Sequence, residues 1–459
     1  MTELSPASSA VSAARGAPAR GSLRELLLLA APLALMQLSQ ILMGIVDAAF
    51  VGRLGAAELG AAAFANIWSW MIFSLFFGAA SVVQTFVAQS HGAGDERGCG
   101  AWAWQGLWVV APATALAAIA AYFAAPFLLS HVGNPPEMVA PSIAYAQPSA
   151  IGMAALGVVF VWNGFFRGIG DMRTPLIIGV IANVANGIGG YALIFGHFGA
   201  PKLGIAGAAL ATAASEFLYA AMLIFAASRP RIVARYDTRP RWPERAAFVR
   251  MVRTGLPIGG QWVFDAGSFA VFTLILASMG AASVAASHSF IMLVNVSFMI
   301  SLGVSSATQT LVGRAIGARE PELVVLALKN GMKVALTVSV ALAIALTAVP
   351  ELLMRIFTND PSVLSLGVSV LRLGAIFQLL DAVHIVAIGA LRGAGDTRWP
   401  FLWQTALAWG VFVPLAWLFG VRMGHGLDGA YVGGVIYVAL LAGGLLWRFS
   451  SGQWREMRI

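Results

Sequence analysis

Charge is scarce in this sequence of 459 residues: Asp, Glu, Lys and Arg make up 10%, against roughly 25% in an ordinary soluble domain. That shortage excludes a soluble globule of this size. A single cysteine, Cys99, leaves no disulfide to close within the chain, and no redox compartment follows from it. Also missing are a phosphate-binding loop, a His-Glu-x-x-His pair and a Ser nucleophile elbow, so neither nucleotide hydrolysis nor another enzyme activity is expected. What abounds is apolar: 59% of the residues are hydrophobic and 50 are glycine. Such a balance is the reverse of a disordered chain. It belongs to a polytopic membrane protein, with the lipid bilayer as solvent and glycine serving close helix packing.

Apolar stretches fall at about 26–48, 58–82, 101–126, 138–163, 174–196 and 204–227, then at about 256–278, 284–308, 328–349, 363–388, 399–420 and 426–449. Polar or Gly/Pro-rich punctuation separates them, as in His91-Gly92-Ala93-Gly94-Asp95, Asn134-Pro135-Pro136 and Asn359-Asp360-Pro361. The pattern predicts an all-α protein of twelve transmembrane helices. Residues 1–24 read as a disordered cytoplasmic tail. The apolar run after it is too long for a signal-peptide core, so a retained first helix is expected.

The net charge is +8, from 28 bases and 20 acids. Loops that follow the positive-inside rule explain the excess without nucleic acid as a partner. With both termini cytoplasmic, that side collects 23 of the 28 bases, leaving Arg53, Lys202, Arg355 and Arg422 outside and Arg372 in a span. Segment 228–255 contributes most, with eight arginines against Asp237 and Glu244, and reads as a basic cytoplasmic linker. It divides an N-terminal six-helix bundle, 25–227, from a C-terminal one, 256–450, followed by a cytoplasmic tail at 451–459.

The two halves are repeats. Arg167-Gly168-Ile169-Gly170-Asp171-Met172-Arg173-Thr174-Pro175 returns 225 residues later as Arg392-Gly393-Ala394-Gly395-Asp396-Thr397-Arg398-Trp399-Pro400. Pro32 and Pro257, Gly55 and Gly280, Gly78 and Gly303, Thr85 and Thr310, Gly92 and Gly317, and Asn134 and Asn359 share that offset. An even number of helices per half makes the repeats parallel, related by a pseudo-two-fold along the membrane normal. Two bundles with a cavity between them form a plan for alternating access. Pro175 and Pro400 suit a first helical turn, and Asp171 and Asp396 suit the positive end of the helix dipole. Arg167, Arg173, Arg392 and Arg398 read as cytoplasmic anchors.

Function is sought where the halves differ. A charged Asp at the centre of a span costs roughly 2.5–3.5 kcal/mol, yet Asp47, Asp265, Asp381 and Glu216 all fall in spans. At the 225 offset Asp47, Asp265 and Asp381 meet Phe272, Gln40 and Leu156, so none of the three is duplicated. With Arg372 the only base in a span, these acids are expected to be protonated, hydrated or bound to cations. His384 and Gln378 flank Asp381 at three residues' distance, on one helical face. Asn183, Asn186 and Thr212 are candidates to line the N-terminal half, or to bind helices together as polar glue.

Gly44-Ile45-Val46-Asp47 with Arg53-Leu54-Gly55, Gln89-Ser90-His91-Gly92-Ala93-Gly94, both Arg-Gly-x-Gly-Asp loops, Leu203-Gly204-Ile205-Ala206-Gly207 and Leu380-Asp381-Ala382-Val383 together carry a family resemblance. Over residues 24–450 the chain resembles the multidrug and toxic compound extrusion (MATE) transporters. In NorM-like members, the resemblance implies, the carboxylates matching Asp265 and Asp381 bind Na⁺ or a proton and release it as cationic drug leaves. DinF-like members use an N-half site that pairs the Asp matching Asp47 with an Asp in the fifth helix. Here that fifth-helix position is Gly190, a departure that favours the NorM-like reading. The family also implies a bend of the first helix near Pro32.

The expectation is an antiporter in a bacterial inner membrane that exchanges Na⁺ or H⁺ for organic, cationic compounds. Asp265 and Asp381 are its coupling pair and Na⁺ ligands if Na⁺ is the ion, with Asp47 a third acidic site. Phe, Trp and Met side chains would form an apolar wall. A monomer is expected, with no cofactor beyond the coupling ion. The alternatives are a lipid-linked oligosaccharide flippase of the wider superfamily, which would need basic residues in its cavity, and a non-transporting membrane scaffold.

Overall fold

The computed structural model describes residues 19–131 and 135–457. Most of the expected N-terminal tail, Asn134 and the last two residues lie outside these. Twelve long helices follow one another: α1 Leu23–Gly52, α2 Ala56–Gly92, α3 Glu96–His131, α4 Pro136–Gly168, α5 Arg173–Phe195, α6 Ile205–Ala227, α7 Arg245–Ala277, α8 Ala281–Gly317, α9 Pro321–Ala348, α10 Pro361–Ala394, α11 Arg398–Arg422 and α12 Gly426–Ser450. The described residues contain no strand. Eleven of the helices carry a stretch apolar enough to cross a membrane, and α2 is 37 residues long. Even the shortest, at 23 residues, reaches about 34 Å at 1.5 Å per residue, more than the roughly 30 Å hydrocarbon layer.

Local chemistry sets the helix ends. Ser22 accepts the Glu25 amide to start α1. Asp171 accepts the Thr174 amide (3.0 Å) and hydroxyl (2.6 Å) before α5, so Pro175 falls in a first turn. Its repeat mate Asp396 is buried and bonds Arg448 at 2.7 Å, with only 4% of the Asp396 side chain and 13% of that of Arg448 exposed. Leu223 occupies the place of Arg448 in the N-terminal half. Asp396→Asn is therefore expected to cost about 2 kcal/mol of stability through the lost charged hydrogen bond, and Asp171→Asn less. Thermal unfolding of both variants in detergent checks the order.

Two departures from simple bundles matter. Pro32 lies inside α1, nine residues past its start, and not in its first turn. The first half of α1 leaves its own bundle: Leu26, Leu29, Leu33 and Met36 join the apolar core of the C-terminal half, which holds Val304 of α8. Met251 and Ile258 of α7, which match Leu26 and Leu33 at the 225 offset, enter the N-terminal core beside Val83 and Trp162. The halves thus exchange arms. α11 is irregular as well, with wide π-helical turns at Ala408–Phe412 and Leu418–Arg422 on either side of Pro414.

At the arginine-rich end the halves are latched by the ends of α2 and α8. Gln84 Nε2 donates to Thr310 Oγ1, and Gln309 Nε2 donates to Thr85 Oγ1, each at 2.9 Å. Thr85 Oγ1 in turn donates to the Arg392 carbonyl (2.9 Å), and Thr310 Oγ1 to the Arg167 carbonyl (3.2 Å). Each contact is the repeat mate of another. Gly92 lies against the Arg314 carbonyl and Gly317 against the Gln89 carbonyl so closely that a Cβ at either place would stand 2.0 Å from the oxygen.

The four arginines read as cytoplasmic anchors divide into two kinds. Arg173 and Arg398 are exposed. Arg167 and Arg392 are not: α4 and α10 run on past them, which turns both guanidinium groups inward, and their Nε atoms are buried without a hydrogen-bond partner. The 228–255 segment is also no loose tether. Trp104 and Trp108 of α3 donate their indole N–H groups to the Thr238 and Arg241 carbonyls, while the Gln105 amide exchanges bonds with Trp242 and Glu244.

Candidate functional site

Asp265 of α7 and Asp381 of α10 line one cavity of about 280 Å³ inside the C-terminal bundle, together with Gln378, His384, Gln404 and Tyr437. The sequence reading placed the cavity between the bundles; the one that holds these acids lies within a bundle, lined by residues of α7, α8, α10, α11 and α12. Asp265 Oδ1 accepts from Gln404 Nε2 at 3.0 Å, and Asp381 Oδ1 lies 3.2 Å from His384 Nδ1. No Lys or Arg lies within ion-pair distance of either carboxylate among the described residues. The basic side chains that bear on Asp265 are His384 and Arg392. Arg372, the one base assigned to a span, is exposed on the surface of α10.

Gln378 lines the cavity, but its amide N–H groups turn away to Ser297 (3.1 Å) and to the Ser339 carbonyl (3.3 Å), leaving its Oε1 buried and unpartnered. The expected Gln–Asp–His stripe is thus an Asp–His pair beside an amide carbonyl. His384 Nε2 is also buried without a partner. Aromatic rings wall the rest: Phe272 packs on Phe412 with ring centres 4.9 Å apart and edge-on to Tyr431, whose hydroxyl bonds Ser287 at 2.7 Å. A wall of ring faces beside carboxylates suits a flat cation. Among the described residues no three His, Cys, Asp or Glu side chains gather to chelate a metal ion. A bound Na⁺ would complete its shell from the amide and hydroxyl oxygens of the cavity.

The N-terminal half gathers a thinner set. Asn186 Nδ2 donates to Asp47 Oδ2 at 3.3 Å, and Thr212 Oγ1 lies 3.5 Å from Asn186 Oδ1. Asn183 turns to Ser39 instead (2.8 Å). Glu216, one turn beyond Thr212, rests on α4 at Gly152, where a Cβ would stand 2.2 Å from its carboxylate. A Cβ at Gly190 would have its nearest neighbour, Phe50, 3.8 Å away. One carboxylate with an amide and a hydroxyl is what Asp47 commands, against two carboxylates and an imidazole in the other half.

Sequence reasoning missed Gln404, Gln261 and the inward Arg392. Gln261 donates to Gln404 Oε1, and Arg392 Nη2 donates to Gln261 Oε1 at 2.8 Å. A signal was present: Gln261 precedes Asp265 by four residues and so shares its helical face.

Twelve membrane-length helices in two repeated halves, with acids lining a ring-walled cavity, define a secondary-transporter architecture. The chain belongs to the MATE family: the MatE family model matches residues 32–192 and 257–418, and its second match begins 225 residues after the first. The chain is 31% identical over 417 residues to the multidrug resistance protein PmpM of Pseudomonas aeruginosa, covering 90% of this chain and 87% of that protein. To the probable multidrug resistance protein NorM of Bradyrhizobium diazoefficiens it is 32% identical over 436 residues, covering 93% and 92%. The fold matches a crystal structure of MATE in the bent conformation with a TM-score of 0.86 at 22% identity, covering 94% of this chain and 96% of that one. It also matches the outward-facing conformation of a multidrug resistance MATE family transporter of the MOP superfamily, with a TM-score of 0.83 at 21% identity, covering 94% and 96%.

Proposed function

We propose that this MATE-family efflux transporter exchanges Na⁺ or H⁺ for organic, cationic compounds, with Asp265 and Asp381 as its coupling pair. The observation that carries the reading is the convergence of two unduplicated carboxylates, free of any Lys or Arg ion pair among the described residues, in one aromatic-walled cavity. A carboxylate in that setting is neutralised by a small cation, a proton or a cationic substrate, and competition between them is what antiport requires. His384 would share the charge of Asp381. Asp47, with Asn186 and Thr212, would be a third site for a cation. The arginine-rich end, by the positive-inside rule, faces the cytoplasm of a bacterial inner membrane, and the transporter works as a monomer.

Ethidium uptake into everted vesicles, driven by Na⁺ and H⁺ gradients imposed separately, identifies the ion. Asp381→Asn is expected to lower the driven rate about tenfold, the equivalent of one charged interaction. Efflux at the wild-type rate in that variant sinks the role given to Asp381. The flippase alternative gains no support, since an anionic headgroup would find no Lys or Arg among the described residues that line this cavity.

A further inference from the structure

A file of side-chain amides runs from Asp265 to the seam between the halves. Gln404 donates to Asp265 (3.0 Å), Gln261 donates to Gln404, and Arg392 donates to Gln261 (2.8 Å). Every N–H points toward the carboxylate, so a guanidinium stands at one end, an anion at the other, and each bond polarises the next. Arg392 has no carboxylate at ion-pair distance among the described residues. Its backbone carbonyl meanwhile accepts Thr85 of the latch, and the next carbonyl, of Gly393, accepts Gln89 Nε2 at 3.0 Å. One residue therefore carries the end of the file on its side chain and a strand of the latch on its main chain.

The repeat supplies an internal control. Arg167 is the mate of Arg392, and its carbonyl takes the same latch bond from Thr310. Its guanidinium, however, reaches only Met36 Sδ among the described residues, at 3.9 Å. At the 225 offset Gln261, Gln404 and Asp265 become Met36, Gly179 and Gln40. Both halves hold the latch, and one holds the file.

We propose that Gln261 and Gln404 are positioning residues that tie the charge on Asp265 to the latch, so that Na⁺ or H⁺ binding loosens Arg392 and favours parting of the halves at the arginine-rich end. The proposal rests on the reading of Asp265 as a coupling acid. While Asp265 is an anion, it anchors the file with a charged hydrogen bond, roughly twice as strong as a neutral one. A proton or Na⁺ removes that anchor, and Arg392 loses its distant counter-charge. The direction suits exchange, since an ion entering from the far side loosens the near one. The charged and titratable groups that face Asp265 are Asp381, His384 and Arg392 of α10 and Tyr437 of α12.

Spin labels on Arg97→Cys and Glu322→Cys, in a Cys99→Ala background, test this. Both positions are exposed, and they are repeat mates at the starts of α3 and α9. Their separation is measured in nanodiscs with and without Na⁺, and from about pH 8 to about pH 5, the span over which a perturbed carboxylate and a histidine titrate. In the parent, one of the two ions should lengthen the distance. Asp265→Asn should give the long distance under all conditions. Gln261→Met, which installs the N-half residue, should still bind the ion by calorimetry or proton uptake but lose the distance response, and Gln404→Met repeats the test at a second link. If both Gln variants follow the ion as the parent does, the file is overturned while Asp265 keeps its role. If Asp265→Asn still responds to the ion, the coupling reading falls and the proposal falls with it. A parent indifferent to both ions also overturns the proposal.

Discussion

Asp265→Asn is expected to cut ion-driven uphill efflux about hundredfold, since moving a two-state equilibrium from 1:10 to 10:1 takes about a hundredfold difference in ion affinity. Asparagine preserves the size of the side chain and offers Gln404 an acceptor, so the cavity should survive. What it lacks is a charge that one state can bind or release more readily than the other. A ligand shifts a conformational equilibrium only by its differential affinity for the two states. The effect should exceed that of Asp381→Asn, because Asp381 has His384 at 3.2 Å to share its charge, whereas Asp265 anchors the amide file. Ethidium flow down its own gradient should continue, which separates lost coupling from lost folding. Uphill efflux at the wild-type rate would refute the assignment.

The double variant Gly92→Ala/Gly317→Ala should hold the arginine-rich end apart. Each new methyl group would meet a backbone carbonyl at 2.0 Å, and no rotamer change relieves a clash between Cβ and main chain. The helices would have to separate by roughly 1 Å or more to restore van der Waals contact. Overpacking of this kind costs about 1–3 kcal/mol per site, so the closed state should lose on the order of hundredfold in population. Hydrogen exchange should then accelerate at the ends of α2 and α8 but not in α4, and driven efflux should fall to a similar degree. Unchanged protection at both ends would mean that the glycines do not control the closed state.

The hydropathy of the chain revealed twelve spans, yet it ended the second at about residue 82 and the eighth at about 308. In the structure α2 runs to Gly92 and α8 to Gly317. The overlooked turns hold Gln84, Thr85, Gln89, Gln309 and Thr310, and their polarity is why the apolar runs stop there. These residues continue as helix because their side chains pair across the seam. The acids of the cavity were legible because a carboxylate in an apolar run is costly. Gln261 and Gln404 were not, because a lone amide in a membrane helix is ordinary glue. Arg392 misled for a different reason: a base beside a Gly-rich loop reads as a cytoplasmic anchor, and only its place within the last turn of α10, with its side chain bonded to Gln261, shows that it turns inward. Hydropathy also says nothing about which neighbour a helix chooses, so the exchanged arms of α1 and α7 left no trace in it.

Those exchanged arms bear on how the protein is made. The ribosome delivers the first half of α1 early, but the surfaces it packs on, around Gly303 and Leu323, emerge more than two hundred residues later. Domains ordinarily fold in order of synthesis; here an early segment must wait in lipid or against an insertase until α8 and α9 arrive. The N-terminal core likewise stays open until Met251 and Ile258 fill it. Truncation after the linker should therefore yield an incomplete six-helix product, prone to proteolysis, in place of an independently folded half.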